Sequence, residues 1–452
     1  MKILIAGCGQ VGETLAQELS AEGHDLTLMD SDPRVLESGM ERYDVIAVQG
    51  NCASMPALRQ AGIEGADLLI ACTGSDELNL LCCMTAHAVN PHLHTIARIR
   101  NPEYAEQVYR MRDTFALSMT FNPELQAAIE IERLLKMPGF LKRESFARGR
   151  VEIVEVRVDA DSKLCNIPLS ILYSIVKCRV LVCSVLRDGH AITPDGNFVL
   201  QAGDRVFVTA PADNLAALLK NLGIVRHKVR RVMIAGGGMV CYYLADLLRN
   251  SSMDLTVIEL DRDRCVALAT QLPKANIVHG DARNQSLLES EDISSADALI
   301  ALTEVDERNM LISLYGHSRG LPVVVTKLEQ LDDAEIKNDL PLGSVISERR
   351  LCCNNIVRYV RALQNQEGAA VAIHSIADGQ AQALEFCVDE HTLHCGEPLK
   401  KLRLQKNTLL VSITNSTGTQ IPNGDSFFRV GDTVVVVTSG ETVIRQLNDI
   451  FA

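Results

Sequence analysis

Gly7-Cys8-Gly9-Gln10-Val11-Gly12 stands where an apolar run, Ile3 to Ala6, gives way to an amphipathic stretch. Glycines at this spacing between a strand and a helix build a phosphate-binding turn. The first permits the tight turn, the second lets a pyrophosphate approach the backbone, and the third lets helix and strand pack closely. The helix N-terminus adds N–H donors and positive potential. Asp30 ends the next apolar run, LTLMD, and is followed by Ser31. A carboxylate there accepts hydrogen bonds from a ribose 2′-hydroxyl and repels a 2′-phosphate, which favours NAD(H) or an adenosine nucleotide over NADP. Asn51 and Cys52 follow the third run, where adenine lies, and Thr73 and Gly74 follow the fourth, at the crevice where strand order reverses. Arg98 and Arg100 close the fifth run, either to meet phosphate or as plain surface charge.

The pattern occurs twice. KILIAGCGQVG at 2–12 returns as RVMIAGGGMVC at 231–241, and GADLLIACT at 65–73 as SADALIALT at 295–303. The second copy keeps Gly236 and Gly238, with Met239 and Val240 in the places of Gln10 and Val11 and Cys241 in that of Gly12. Glu259 replaces Asp30, Asp281 and Ala282 replace Asn51 and Cys52, and Lys327 stands near the place of Arg98. Thr73-x-x-Asp76-Glu77-x-Asn79 recurs as Thr303-x-x-Asp306-Glu307-x-Asn309. Asp and Asn three apart at a helix start either cap N–H groups or read the ribose and phosphates of a nucleotide. Only the first copy keeps all three glycines, so the N-terminal site is the stronger expectation.

Elements that would position these residues alternate. Strands are expected at 3–7, 26–30, 45–50, 68–73, 95–99 and 115–119, with helices between them, such as 12–23 and 79–89. Such alternation specifies an α/β fold with a doubly wound parallel sheet. A helix over 122–140 begins at Pro123 and ends at Pro138-Gly139. Its apolar positions, Leu125, Ala128, Ile129, Leu134 and Leu135, suit a helix crossing to a partner or one packed on its own sheet. The stretch 347–364 occupies the same place in the second copy. From Val151 to Gly223, and again over 370–452, short alternating strands and the turns Gly203-Asp204 and Gly431-Asp432 read as small β-rich α+β modules. A helix, DNLAALLKNLG, closes the first module, and the basic stretch 226–231 links it to the second half. The expected organisation is a Rossmann unit over 1–143, a small lobe over 148–224, a second Rossmann unit over 229–366 and a second small lobe over 370–452.

Composition narrows the classes. With 452 residues, 47% hydrophobic and 22% charged, the chain reads as a globular protein of several domains. No run approaches the roughly 18 apolar residues of a membrane span, and MKILIAG opens directly on a strand, which reads as no signal peptide. A net charge of −13 argues against nucleic acid as a partner. Most of the 14 cysteines sit in apolar runs, where a thiol packs as a small hydrophobe, in keeping with a reducing, cytosolic setting. HTLHC at 391–395 fits no usual zinc spacing, and no metal is expected.

On GCGQVGETLAQEL, ADLLIACTGSDELNLLC, ARIRNPEYAEQVYR, RLLKMPGF and VMIAGGGMV, the chain resembles the TrkA family over essentially its full length. These are cytosolic regulatory subunits of bacterial Trk potassium uptake systems, built from two tandem RCK units, each a Rossmann lobe and a small C-terminal lobe. The resemblance implies NAD(H), ATP or ADP in the Rossmann lobes and a homotetrameric ring. It also implies peripheral docking on the cytoplasmic face of the cell membrane, against an integral potassium transporter subunit of the TrkH type. Cys241 and Asn51 depart from the family pattern. Two other readings of the residues are a NAD-dependent oxidoreductase, which needs an acid/base residue beside the nicotinamide, and a scaffold whose sites no longer bind. No catalytic residue is assigned.

Overall fold

Short apolar runs buried on both faces pair in parallel, and the intervening amphipathic helices cover them. In the first half the strands lie in the order Val45–Gln49, Asp25–Asp30, Lys2–Ala6, Leu68–Ala71, His94–Arg98 and Met119–Phe121, all parallel. The second half repeats it with Asn276–His279, Asp254–Glu259, Arg231–Ala235, Ala298–Ala301, Val323–Lys327 and Ser344–Ile346. This is the doubly wound order 3-2-1-4-5-6. The structure, a computed structural model, describes the chain except residues 137–141, 223–227, 331–339, 364–369, 378–379, 441–443 and 445.

The sixth strand differs from the sequence expectation at 115–119. It runs over Met119–Phe121, and Ala116 stands in a turn with φ +53°. Leu117 is buried there as a turn residue, so apolarity alone gave a strand signal where the backbone turns.

The helix Pro123–Lys136 leaves the first sheet and packs on the second. Ala127, Ala128, Ile131, Leu134 and Leu135 join one core with Ile234, Leu244, Val257 and Ile300. The helix Glu348–Leu363 makes the reverse journey, placing Cys352, Cys353, Ile356, Val357 and Val360 in a core with Ile5, Leu15, Leu19 and Ile70. The two Rossmann units therefore exchange helices within one chain. At roughly 1.5–3 kcal/mol per large aliphatic side chain buried, Ile131, Leu134 and Leu135 make the visiting helix part of the second core. Of the two readings for this helix, crossing to a partner is the one observed, the partner being the other half of the chain. Ile129 is only half-buried, and Ala127 and Ile131 take the inner positions. Pro138 and Gly139, expected to end the helix, lie outside the described residues, as do Gly223, Arg226, His227 and Gln364.

Each small lobe is an antiparallel sheet. The first has the order His190–Ile192, Leu181–Arg187, Arg205–Pro211, Val151–Arg157, Lys142–Phe146, and the second Gly418–Gln420, Thr408–Asn415, Thr433–Ser439, Ala381–Cys387, Ala370–Ile376. Lys142–Phe146 was not legible as a strand, because KRESF carries one apolar residue. The sheets face each other through Phe146, Ile153 and Phe207 on one side and Ile376, Val411 and Val435 on the other. Both Gly-Asp turns place the glycine in the left-handed region, Gly203 at φ +94° and Gly431 at +90°. Asp204 is buried and takes Arg187 by two hydrogen bonds of 2.8 and 2.7 Å. No described helix is long and apolar enough to cross a membrane.

Candidate nucleotide sites

The first glycine turn has the geometry its spacing implies. Gly7 has φ +99°, and a Cβ there would lie 2.7 Å from the Thr73 nitrogen. A Cβ on Gly12 would lie 2.0 Å from the Gly7 carbonyl oxygen, so the helix Gln10–Ala21 approaches the strand as only glycine allows. Gly9 faces open space and caps that helix without a side-chain acceptor, leaving a face of N–H groups for an anion. Gln10 is exposed and Val11 buried. Asp30 accepts from the Cys8 N–H at 2.7 Å and the Asp32 N–H at 3.0 Å. Two of a carboxylate's roughly four acceptor positions are thereby used and the rest remain. Ser31 is exposed beside it, and Asn51 turns back to accept from the Ala53 N–H at 3.0 Å. Cys52 packs into the core with Leu58 and Cys82 rather than facing the crevice. A cavity of about 500 Å³ opens beside Cys8, Gly9, Gln10, Asp32, Arg34 and Gly39.

The Thr-x-x-Asp-Glu-x-Asn motif braces the crevice from below. Asn79, fully buried, accepts from the Thr73 N–H at 2.8 Å and its hydroxyl at 2.7 Å, and donates to the Arg98 carbonyl at 2.9 Å. Asp76 accepts from the N–H groups of Arg100 and Asn101, both at 2.8 Å. The second copy repeats this: Asn309 joins Thr303 to the Lys327 carbonyl, and Asp306 takes the N–H groups of Glu329 and Gln330. Neither pair caps its own helix; in the first copy Ser75 does so, accepting from the Leu78 N–H at 3.2 Å. The motif thus ties the end of the fourth strand to that of the fifth, with Gly74 exposed above it.

The second crevice is a cleft of about 540 Å³ running from Asp281 past Gly238 to Thr303 and Lys327. Gly236 has φ +108° with Leu302 backbone 2.8 Å from a would-be Cβ, and Gly238 faces open space. Glu259 holds the Gly237 N–H at 2.6 Å and the Asp261 N–H at 2.8 Å, as Asp30 does in the first half. Asp281 is paired with Arg283 at 2.6 Å, and that bond holds its carboxyl below the usual range. Met239 is exposed on the cleft, Val240 is buried in the core beneath it, and Ala282 is buried. Cys241 is wholly buried, its thiol pushed up to about 12 by desolvation, so it packs as a hydrophobe. A change sequence reasoning passed over accompanies it. Gly237 replaces Cys8, and a Cβ there would lie 2.4 Å from the Leu268 side chain.

Arg98 and Lys327 sit at the ends of the fifth strands, each facing a glutamate that opens an exchanged helix. Arg98 lies 3.6 Å from Glu124, with Arg100 at 4.0 Å, and Lys327 lies 3.0 Å from Glu348. Arg98 and Arg100 form partly buried ion pairs with Glu124 and are not plain surface charges. Between the two units a cavity of about 450 Å³ is lined by Gln10, Arg98, Glu304, Lys327, Glu329 and Arg349. Glu124 and Glu348 were missed in the sequence; the available signal was an acidic residue in the first turn of both crossing helices.

The TrkA-N domain family matches residues 3–118 and 232–348, and the TrkA-C domain family matches residues 153–223. The chain belongs to the TrkA family. The Trk system potassium uptake protein TrkA homolog of Archaeoglobus fulgidus is 32% identical over all of both chains. The Trk system potassium uptake protein TrkA of Haemophilus influenzae is 30% identical over 100% of this chain and 98% of its own. Among solved structures, the GsuK RCK domain aligns with a TM-score of 0.63 at 16% identity, covering 97% of this chain and 92% of that one. The GsuK channel bound to NAD aligns with a TM-score of 0.60 at 18% identity, over 97% and 77% of the respective chains. These two establish a shared RCK fold. In this TrkA-family chain the fourth lobe, 370–452, repeats the strand order of the TrkA-C lobe strand for strand. The 391–395 stretch forms no metal cluster, and among the described residues no group of three potential ligands does.

Proposed function

We propose that this TrkA-family chain is a nucleotide-responsive regulatory subunit of a membrane potassium transporter and not an enzyme. NAD(H), ATP or ADP would bind in the Rossmann crevices, with Asp30 and Glu259 receiving ribose hydroxyls and the N–H faces at Gly9 and Gly238 receiving phosphates. The names of the relatives support the potassium role, and the NAD-bound GsuK channel supports a dinucleotide as ligand.

The observation that carries the reading is the helix exchange. The second cleft is lined at its fifth-strand end by Glu124 of the first unit, and Arg98 of the first unit shares a cavity with Glu304 and Lys327 of the second, where a dehydrogenase would present a substrate domain. A ligand with different affinity for two relative placements of the units shifts their balance, typically by about 1–3 kcal/mol. On this reading the chain assembles as a homotetrameric ring on the cytoplasmic face of the membrane, against a TrkH-type pore subunit. Potassium uptake by cells expressing such a pore tests it. Uptake with this chain should respond to nucleotide level, and a chain carrying Asp30→Ala and Glu259→Ala should support uptake that no longer responds. Uptake indifferent to the presence of the chain would refute the proposal.

A further inference from the structure

The two small lobes share one strand order, so each shows what the other lacks. Arg187 ends its strand opposite His190 of the hairpin, with its neighbour Leu186 opposite Arg205. Asn415 holds the same place in the second lobe, opposite Gly418, with Thr414 opposite Thr433. In the first lobe Arg187 forks onto Asp204 at 2.8 and 2.7 Å, donates to the Val199 carbonyl at 2.8 Å, and lies 4.7 Å from the centre of the Phe198 ring. In the second lobe Asn415 turns back into its own hairpin and accepts from the N–H groups of Thr417 and Gly418 at 2.9 and 3.0 Å. Asp432, the counterpart of Asp204, keeps the turn bond: its Oδ2 accepts from the Arg429 N–H at 2.9 Å, as Asp204 accepts from the Gln201 N–H at 2.8 Å. It has no ion pair among the described residues. The Arg429 guanidinium lies over Phe427, 4.8 Å from the ring centre, and Asp425 is held by Lys400 at 2.6 Å. Where the first lobe has its own guanidinium, the second has a cavity of about 590 Å³ lined by Asn415, Thr417, Gln420, Phe427 and Asp432.

We infer that this cavity receives an arginine side chain from a protein partner, its guanidinium taking the position on Asp432 that Arg187 takes on Asp204. A planar fork that donates two parallel bonds to a carboxylate suits the site better than the point charge of a lysine. Phe427 and Val430, 37% and 54% exposed, add apolar surface at the cavity that a peptide chain covers and a free guanidinium compound does not.

The sequence contains no tryptophan, so Phe427→Trp in the full chain gives a single fluorescent reporter at the cavity. Titration of this reporter chain with the blocked peptide acetyl-Leu-Arg-Leu-amide should give a saturable change with half-effect below about 5 mM. The matching lysine peptide and free arginine should each bind at least about fivefold more weakly. Asp432→Asn keeps an oxygen for the Arg429 N–H and should abolish the response. Asn415→Arg should abolish it too, because the chain then supplies its own guanidinium. Absence of saturation, equal binding of the lysine peptide or of free arginine, or an unchanged response in Asp432→Asn would each overturn the inference. Asp432→Asn should also keep the oligomeric state of the wild type. A smaller assembly would place the arginine on a second copy of this chain and overturn the separate partner.

Discussion

The Tyr243 hydroxyl lies 2.9 Å from the Asn122 side-chain amide and donates to the Arg100 carbonyl, so one phenol in the second Rossmann unit holds the chain of the first where it enters the exchanged helix. Burial pushes this hydroxyl up to about 12, and it stays a donor across the physiological range. Tyr243→Phe removes the shared partner and leaves the Asn122 amide and the Arg100 carbonyl only their long 3.4 Å contact with each other. The expected loss is about 1–3 kcal/mol, read as a lower denaturant midpoint. An unchanged midpoint would mean that the two units are not held together at this point.

The third-glycine position predicts an asymmetry. Gly12→Ala sets a Cβ 2.0 Å from a backbone oxygen, and the strand and helix must part. Loss of nucleotide binding at the first site and a cost of about 1–3 kcal/mol or more are expected. Cys241 already fills the equivalent place and is wholly buried, so Cys241→Ala should leave second-site binding nearly unchanged and cost stability only through a small cavity. Titration of each variant with ADP compares them.

What was legible in the sequence was what depends on local rules. The glycine turns, the acidic strand ends, the alternation of strand and helix and the duplication follow from backbone sterics and side-chain periodicity, and all appear in the structure. The sixth strand was displaced because Phe115 and Leu117 are apolar for tertiary reasons while the backbone turns. Ser75 takes the capping role that was one of the two readings for Asp76 and Asn79, because those two side chains reach sideways to another strand, a relation that spacing does not encode. Glu124 and Glu348 escaped notice for the same reason: their partners lie in different elements.

The Asn79 and Asn309 braces give a paired prediction. Each is fully buried and joins a threonine to the carbonyl ending the fifth strand. Asn79→Ala removes the partner of the Thr73 N–H and of the Arg98 carbonyl, both partly buried, at about 1–3 kcal/mol in all, and should unfold the first unit earlier. Asn309→Ala should do the same to the second. Hydrogen exchange resolves which unit opens in each variant; loosening confined to the unmutated unit would refute the assignment.

The carboxyls of Glu124 and Glu329 are both raised above their ordinary 4.5, chiefly by desolvation. A group that holds its proton more tightly when folded contributes stability below its unfolded value and loses it as pH rises through the folded one. The wild type should therefore weaken relative to a Glu124→Gln, Glu329→Gln double variant as pH climbs above about 4.5. Urea unfolding across that window reads the difference. A difference independent of pH, or a wild type that weakens relative to the variant toward acid, would contradict the burial of these groups.

The most direct test of the central claim is calorimetric titration of NADH into the purified full chain, wild type and an Asp30→Ala, Glu259→Ala double variant. Saturable binding at sub-millimolar concentration in the wild type, weakened at least about tenfold in the variant, is the predicted result. No saturable binding of NADH, or equal binding by both proteins, would contradict it.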